Sequence, residues 1–198
     1  MAEPARRVPF VGLTGGLGAG KSTALAALAD LGAATLSTDE VVHELYGSAE
    51  VRDAVGSRFG PSVMVDGVVD RSAVAAKAFG DDEEREWLEQ LLWPRVGERI
   101  AEFRDSVGPV PAAVVEVPLL FESGMEAAFD HTIAVVADED LRAERAGARG
   151  HEAVSERAGR QLTQDQKSQR ADFTVRNDGT REGLKAELAE ILNSIGSE

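Results

Sequence analysis

The sequence predicts an α/β fold with three layers, α/β/α, built on a parallel five-stranded sheet. An inserted helical subdomain and a helical lid complete the expectation. Three observations point there. Short apolar runs alternate with longer helical patterns, the texture of βαβ units. A glycine-rich turn, Gly15 to Ser22, joins the first apolar run to the first helical one. Between about residues 41 and 105 the pattern turns almost wholly helical.

The elements follow in order. Val8 to Thr14 reads as the first strand. Lys21 to Leu31 reads as a helix, with Leu25, Leu28 and Leu31 about a turn apart and Gly32 closing it. Ala34 to Ser37 is a short second strand, and Thr38 or Asp39 starts a helix through Tyr46. An Asp66-Gly67 pair between valine-rich arms predicts a hairpin over Val63 to Val69. Asp70 can cap a helix over Arg71 to Phe79. Two further helices are expected over Glu83–Leu92 and Pro94–Asp105, with Pro94 at a first helical position. Ala112 to Val117 and Thr132 to Ala137 supply the third and fourth strands. A charged, arginine-rich helical region follows from Glu139 to Leu162. Phe173 to Val175 is the last strand, and Arg181 to Ile195 a closing helix with Leu184, Leu188, Ile191, Leu192 and Ile195 on one stripe. The expected partition is a core over about 8–40, 110–140 and 171–198, a helical subdomain over about 41–105, and a lid over about 141–162.

Bulk properties restrict the function classes. The 198 residues suit one core with an insertion, and 43% hydrophobic with 28% charged content is ordinary for a water-soluble domain. No apolar run reaches 18 residues, so no membrane partner is expected. The absence of cysteine excludes disulfides, zinc–thiolate sites and cysteine nucleophiles, and it fits a cytoplasmic protein. A formal net charge of −14 argues against a nucleic-acid partner, because a duplex binder needs a basic face. Any polyphosphate site must then be a local positive pocket in an acidic shell. A monomer or weak homo-oligomer is expected.

Such a pocket is written in Gly15 to Ser22, which reads GGLGAGKS and meets the pattern G-x-x-x-x-G-K-[ST]. This is a P-loop, and the expected fold is that of a P-loop NTPase. Glycines let successive backbone N–H groups point inward as an anion nest, and the following helix adds its positive end. Gly16, Gly18, Ala19, Gly20, Lys21, Ser22 and Thr23 are the expected ATP contacts. Lys21 reaches the β- and γ-phosphates, and the Ser22 hydroxyl ligates Mg²⁺. No Asn-Lys-x-Asp tetrad is present, which argues against a GTPase.

Three other positions bear on the reaction, each with two readings. Asp39 follows the second strand, where parallel strand ends face the ligand crevice. It can take a proton from an acceptor hydroxyl or cap a helix. Arg145 and Arg149 share a helix face, with Arg142 and Arg157 nearby. They can close over phosphates or pair with Glu144 and Glu152 on a solvated helix. Glu116 ends an apolar strand, where it can approach Mg²⁺ through water or cap the strand end.

Taken together, the residues resemble dephospho-CoA kinases. The resemblance rests on VGLTGGLGAGKST, then LG and a strand ending in Asp39; on Arg71 to Phe79; on Leu91-Leu92-Trp93-Pro94; and on Val117-Pro118-Leu119-Leu120-Phe121-Glu122. Gln161, Lys167, Ala171-Asp172 and Asn177-Asp178-Gly179 extend it along nearly the whole chain. It implies ATP-dependent phosphorylation of the ribose 3′-hydroxyl of dephospho-CoA, giving coenzyme A and ADP. By that likeness Asp39 is the catalytic carboxylate, with Lys21 and Arg145 beside it in the reaction. Thr14 falls beside the acceptor site. Arg71, Pro118, Leu119, Leu120 and Glu122 border the CoA pocket, and Asn177 lies on the adenine side of ATP.

The chain departs from the family pattern in four places. Ser37-Thr38-Asp39 replaces the usual Asp-Ala-Asp, leaving only Asp39 as the acid. Trp93 replaces a common histidine, Arg176 stands where an acid is frequent, and the stretch from Arg149 to Gln161 is a couple of residues short. The rival readings are another small-molecule or nucleoside-phosphate kinase on the same scaffold, and a non-catalytic nucleotide-binding module.

Overall fold

A computed structural model describes residues 7–147 and 161–197. The chain divides into two compact units. One comprises the chain up to Ser37 and from Arg104 onward; the other is Thr38–Phe103.

The first unit carries a parallel sheet. Its strands are β1 (Phe10–Gly15), β2 (Ala34–Ser37), β5 (Ala113–Glu116), β6 (His131–Val136) and β7 (Phe173–Arg176), in the order β2-β5-β1-β6-β7. Central β1 is buried along its whole length, as a strand covered on both faces must be. Its side chains alternate between the two layers. Val11 and Leu13 join a core with Leu28 of α1 (Lys21–Asp30) and with Leu184, Leu188, Leu192 and Ile195 of α8 (Arg181–Ile195). On the opposite face Leu120 and Phe129 close so tightly over Gly12 that a side chain there would touch both. Residues α6 (Glu139–Gly147) and α7 (Gln164–Arg170) complete the described helices of this unit. The expected five-stranded parallel sheet and three-layer α/β/α class are therefore correct.

Register places the strand ends that matter side by side. Leu13 pairs with Glu116, and Glu116 with Ser37, while Gly15 pairs with Val135. The C-terminal ends of β5 and β2 are thus level, β1 runs two residues further, and the chain leaves it directly into the glycine-rich loop.

The second unit has its own core of Tyr46, Val51, Val55, Phe59, Val63, Val69, Val74 and Leu92. It holds α2 (Thr38–Gly47), α3 (Ala49–Phe59), a hairpin of β3 (Met64–Val65) and β4 (Val68–Val69), α4 (Arg71–Gly80) and most of α5 (Asp82–Ser106). The hairpin turn has Asp66 at φ 51° and Gly67 at φ 79°, two successive left-handed residues, as a two-residue turn between twisted strands requires. The Ser48 hydroxyl caps α3 through the Val51 amide at 3.3 Å. The Asp70 carboxylate caps α4 through the Ser72 and Ala73 amides at 2.9 and 3.1 Å. Trp87 lies edge-on against Phe59, with ring centroids 5.5 Å apart, so it belongs to this core.

Two expectations need correction. The helices expected over Glu83–Leu92 and Pro94–Asp105 are one continuous helix, α5, with Pro94 inside it. Pro94 removes a single N–H, the one that would bond the Gln90 carbonyl. The buried stripe Leu92, Val96, Ile100 runs through the proline in unbroken phase. The Arg95 guanidinium adds a bond to the Leu91 carbonyl at 2.5 Å. A helix not expected at all, α7, is started by a capping box in which Thr163 and Gln166 each bond the other's backbone. Among the described residues no helix is long and apolar enough to cross a membrane.

Removing the α4 cap tests the helical unit. Asp70→Ala leaves two amide donors without a partner and should lower unfolding free energy by about 1 kcal/mol. Urea titration followed by circular dichroism measures it.

Candidate active site

The phosphate loop spans from the end of β1 to the first turn of α1. Gly20, immediately before α1, sits at φ 89° and offers no side-chain cap, and the first turn contains no acid. The amino end of α1 therefore keeps its positive end facing the loop. The Lys21 ammonium bonds the Gly16 carbonyl at 3.3 Å, folded back across the loop. Ser22 is exposed and Thr23 half-buried.

Neighbouring elements hold the loop from outside. Gly18 is left-handed, φ 74°, and its α-carbon faces the Arg142 backbone carbonyl so closely that no Cβ would fit. The same Arg142, on α6, donates from Nε to the Leu17 carbonyl at 3.0 Å. Gly20 faces the Asn177 amide with equally little room. Asn177 is buried just after β7. Its Nδ2 donates to the Ala19 carbonyl at 2.9 Å, and its backbone N–H to Val136 at 2.9 Å. The Arg145 guanidinium grips the Asn177 backbone carbonyl through both Nη atoms, each at 3.1 Å. Gly18 and Gly20 are thus glycine for two reasons at once, conformation and close approach.

A second constellation lies at the end of β1. Lys167 of α7 is completely buried. Its ammonium donates to the Pro118 carbonyl at 2.7 Å and to the Thr14 hydroxyl at 3.3 Å, and it pairs with Glu122 at 2.9 and 3.1 Å. Thr14, also fully buried, donates its own hydroxyl to the Pro118 carbonyl at 3.3 Å. Glu122 accepts in addition from the Leu162 amide at 2.8 Å. Burial pushes the Lys167 ammonium below the ordinary lysine range, and the Glu122 hydrogen bond and charge push it back up.

The remaining sequence-identified residues fall as follows. Pro118 and Leu119 are half-buried. Leu120 is fully buried against Gly12, so its side chain supports the loop from beneath. Glu116 is buried at the end of β5, between Leu13 and Ser37. Asp39 is exposed in the first turn of α2, two residues beyond β2. Arg71, in the second unit, contacts the His43 ring nitrogen at 3.1 Å. Arg149, Arg157 and much of the expected lid lie outside the described residues.

Sequence reasoning overlooked the bracing by Arg142 and the burial of Lys167. Leu17 lies 125 residues from Arg142, and Thr14, Pro118 and Glu122 lie 153, 49 and 45 residues from Lys167; neither side chain stands in an apolar pattern. Gln164 was missed too: it bonds both the amide and the carbonyl of Ala137, at 2.8 and 2.9 Å, and so extends β6 like a short strand.

A model of the dephospho-CoA kinase family matches residues 9–182, from the start of β1 into α8. The chain belongs to this family. A dephospho-CoA kinase from Protochlamydia amoebophila is 35% identical over 193 residues, covering 93% of this chain and 95% of its own. The crystal structure of TT1252 from Thermus thermophilus superposes with a TM-score of 0.82 at 30% identity, covering 96% of this chain and 98% of that one. A dephospho-CoA kinase from Campylobacter jejuni shares the fold, with a TM-score of 0.66 at 24% identity and 94% and 96% coverage. For this member of the dephospho-CoA kinase family the matched stretch contains the phosphate loop, Asp39, the whole second unit and Asn177.

The close approach at Gly20 generates a prediction. Gly20→Ala would force a Cβ into the Asn177 amide at a left-handed position. ATP binding, measured by calorimetry, should fall below detection while the circular dichroism spectrum is retained.

Proposed function

We propose that the protein transfers the γ-phosphoryl group of ATP to the ribose 3′-hydroxyl of dephospho-CoA, giving coenzyme A and ADP. The observation that carries this reading is the phosphate loop with its uncapped α1, in a chain matched to this family across both units.

In this reading Lys21 leaves the Gly16 carbonyl and binds the β- and γ-phosphates, while the loop amides hold the rest of the chain of phosphates. The fit of a metal rests on donor chemistry. Ser22 presents an exposed hydroxyl oxygen in the first turn of α1, a hard donor suited to a magnesium ion that keeps most of its waters. Magnesium would supply charge neutralisation on the phosphates. Asp39 aligns the 3′-hydroxyl and accepts its proton as the new O–P bond forms. The bond from the γ-phosphorus to the bridging oxygen breaks, and ADP leaves with that electron pair. Arg145 stabilises charge on the transferring group, after exchanging the Asn177 carbonyl for a phosphate oxygen. Arg71, Pro118, Leu119 and Glu122 border the CoA moiety. Thr14 and Leu120 act from behind the pocket wall, since both are fully buried.

ADP release measured with dephospho-CoA, AMP, adenosine and shikimate separates this reading from other kinases on the scaffold. Turnover is expected with dephospho-CoA, and preference for any other acceptor would overturn it. Asp39→Asn should lower kcat by about 10²–10⁴ while the KM for ATP changes little. A near-normal kcat in that variant would remove Asp39 from the role of base.

A further inference from the structure

We propose that Lys167 is a positioning residue for the acceptor substrate: its buried ammonium clamps both ends of the loop Pro118–Glu122 to the end of β1. The proposal rests on the acceptor reading given above, since that loop is taken to border the CoA moiety.

The geometry favours a dedicated clamp. An ammonium has three donors, and three groups receive them: the Pro118 carbonyl, the Thr14 hydroxyl and the Glu122 carboxylate. Pro118 opens the loop and Glu122 closes it, while Thr14 immediately precedes Gly15 of the phosphate loop. One side chain from α7 therefore fixes the acceptor-side loop relative to the strand that launches the nucleotide loop.

Stability alone does not account for this lysine. A fully buried ammonium loses its hydration, which its ion pair only offsets, and apolar residues of similar volume often serve equally well or better. Lysine here has a donor count and reach that leucine or methionine cannot reproduce. Pro118 cannot anchor itself through an N–H, so its carbonyl, shared by Thr14 and Lys167, is the available handle. Leu120 beneath and the Leu162 amide on Glu122 leave the loop one seat.

Two variants test the clamp. Lys167→Met strands the Glu122 carboxylate and lowers the melting temperature. Lys167→Met/Glu122→Leu removes the buried pair whole and restores most of that loss. In the single variant, which keeps Glu122, and in the double variant alike the KM for dephospho-CoA should rise about tenfold or more, while the calorimetric Kd for ATP stays within about threefold. Hydrogen exchange supplies a readout independent of the acceptor. The Ser123 and Met125 amides, bonded to the Leu119 and Leu120 carbonyls, should exchange about tenfold faster or more. The Ala24 amide, bonded to Gly20 in α1, should be unchanged.

An unaltered KM, an equal loss for both substrates, or failure of both variants to fold would assign Lys167 to stability alone and overturn the proposal. Unchanged loop exchange would overturn it as well. If the wild-type protein leaves dephospho-CoA untouched, the acceptor reading fails separately, and the exchange arm still decides whether Lys167 holds the loop.

Discussion

A chain with a formal net charge of −14 can hold a polyphosphate only where the backbone itself supplies positive potential. That constraint organises the nucleotide-binding unit. It requires a loop whose amides converge, and hence left-handed glycines at Gly18 and Gly20. It requires a helix amino end left without an acidic or hydroxyl cap, which α1 has. It also requires that the loop not relax toward ordinary turns. Arg142 on the Leu17 carbonyl and Asn177 on the Ala19 carbonyl meet that need from outside the nest. Both use carbonyls of the loop, so neither brace occupies a loop amide.

The sheet order serves the same end. With β1 central and β5 beside it, the phosphate loop and the Pro118–Glu122 loop leave adjacent strands at one edge of the sheet. The Pro118–Glu122 loop and the phosphate loop are therefore neighbours by topology, and the Lys167–Glu122 pair with Thr14 ties them together in detail. Arg145 and Asn177 perform the analogous service at the end of β7. Lys21, Arg142 and Arg145 thus each engage a protein carbonyl.

Legibility in the sequence follows the range of the interactions. The five strands could be read because each is a short apolar run bounded by turn residues, a local pattern. The phosphate loop could be read because all its working parts are contiguous. Asp70 and the Asp66-Gly67 turn were readable for the same reason. Pro94 misled because local propensity marks a helix start, whereas the buried stripe Leu92, Val96, Ile100 carries the helix through. Lys167 gave no sign of burial: it stands in the polar run Gln164-Asp165-Gln166-Lys167, and only tertiary contacts enclose it. The Gly20–Asn177 contact was hidden likewise, although the glycine itself was recognised. Resemblance to a family supplied positions for Asn177 and Glu122, but not the bonds that occupy their side chains.

The central claim concerns where the γ-phosphorus of ATP ends. A two-dimensional ¹H–³¹P correlation spectrum of the product formed from ATP, magnesium and dephospho-CoA tests it at the atom. The account predicts a new phosphomonoester resonance correlated with the ribose H3′ proton. Correlation with H2′ instead, or inorganic phosphate as the only new phosphorus signal, would contradict it.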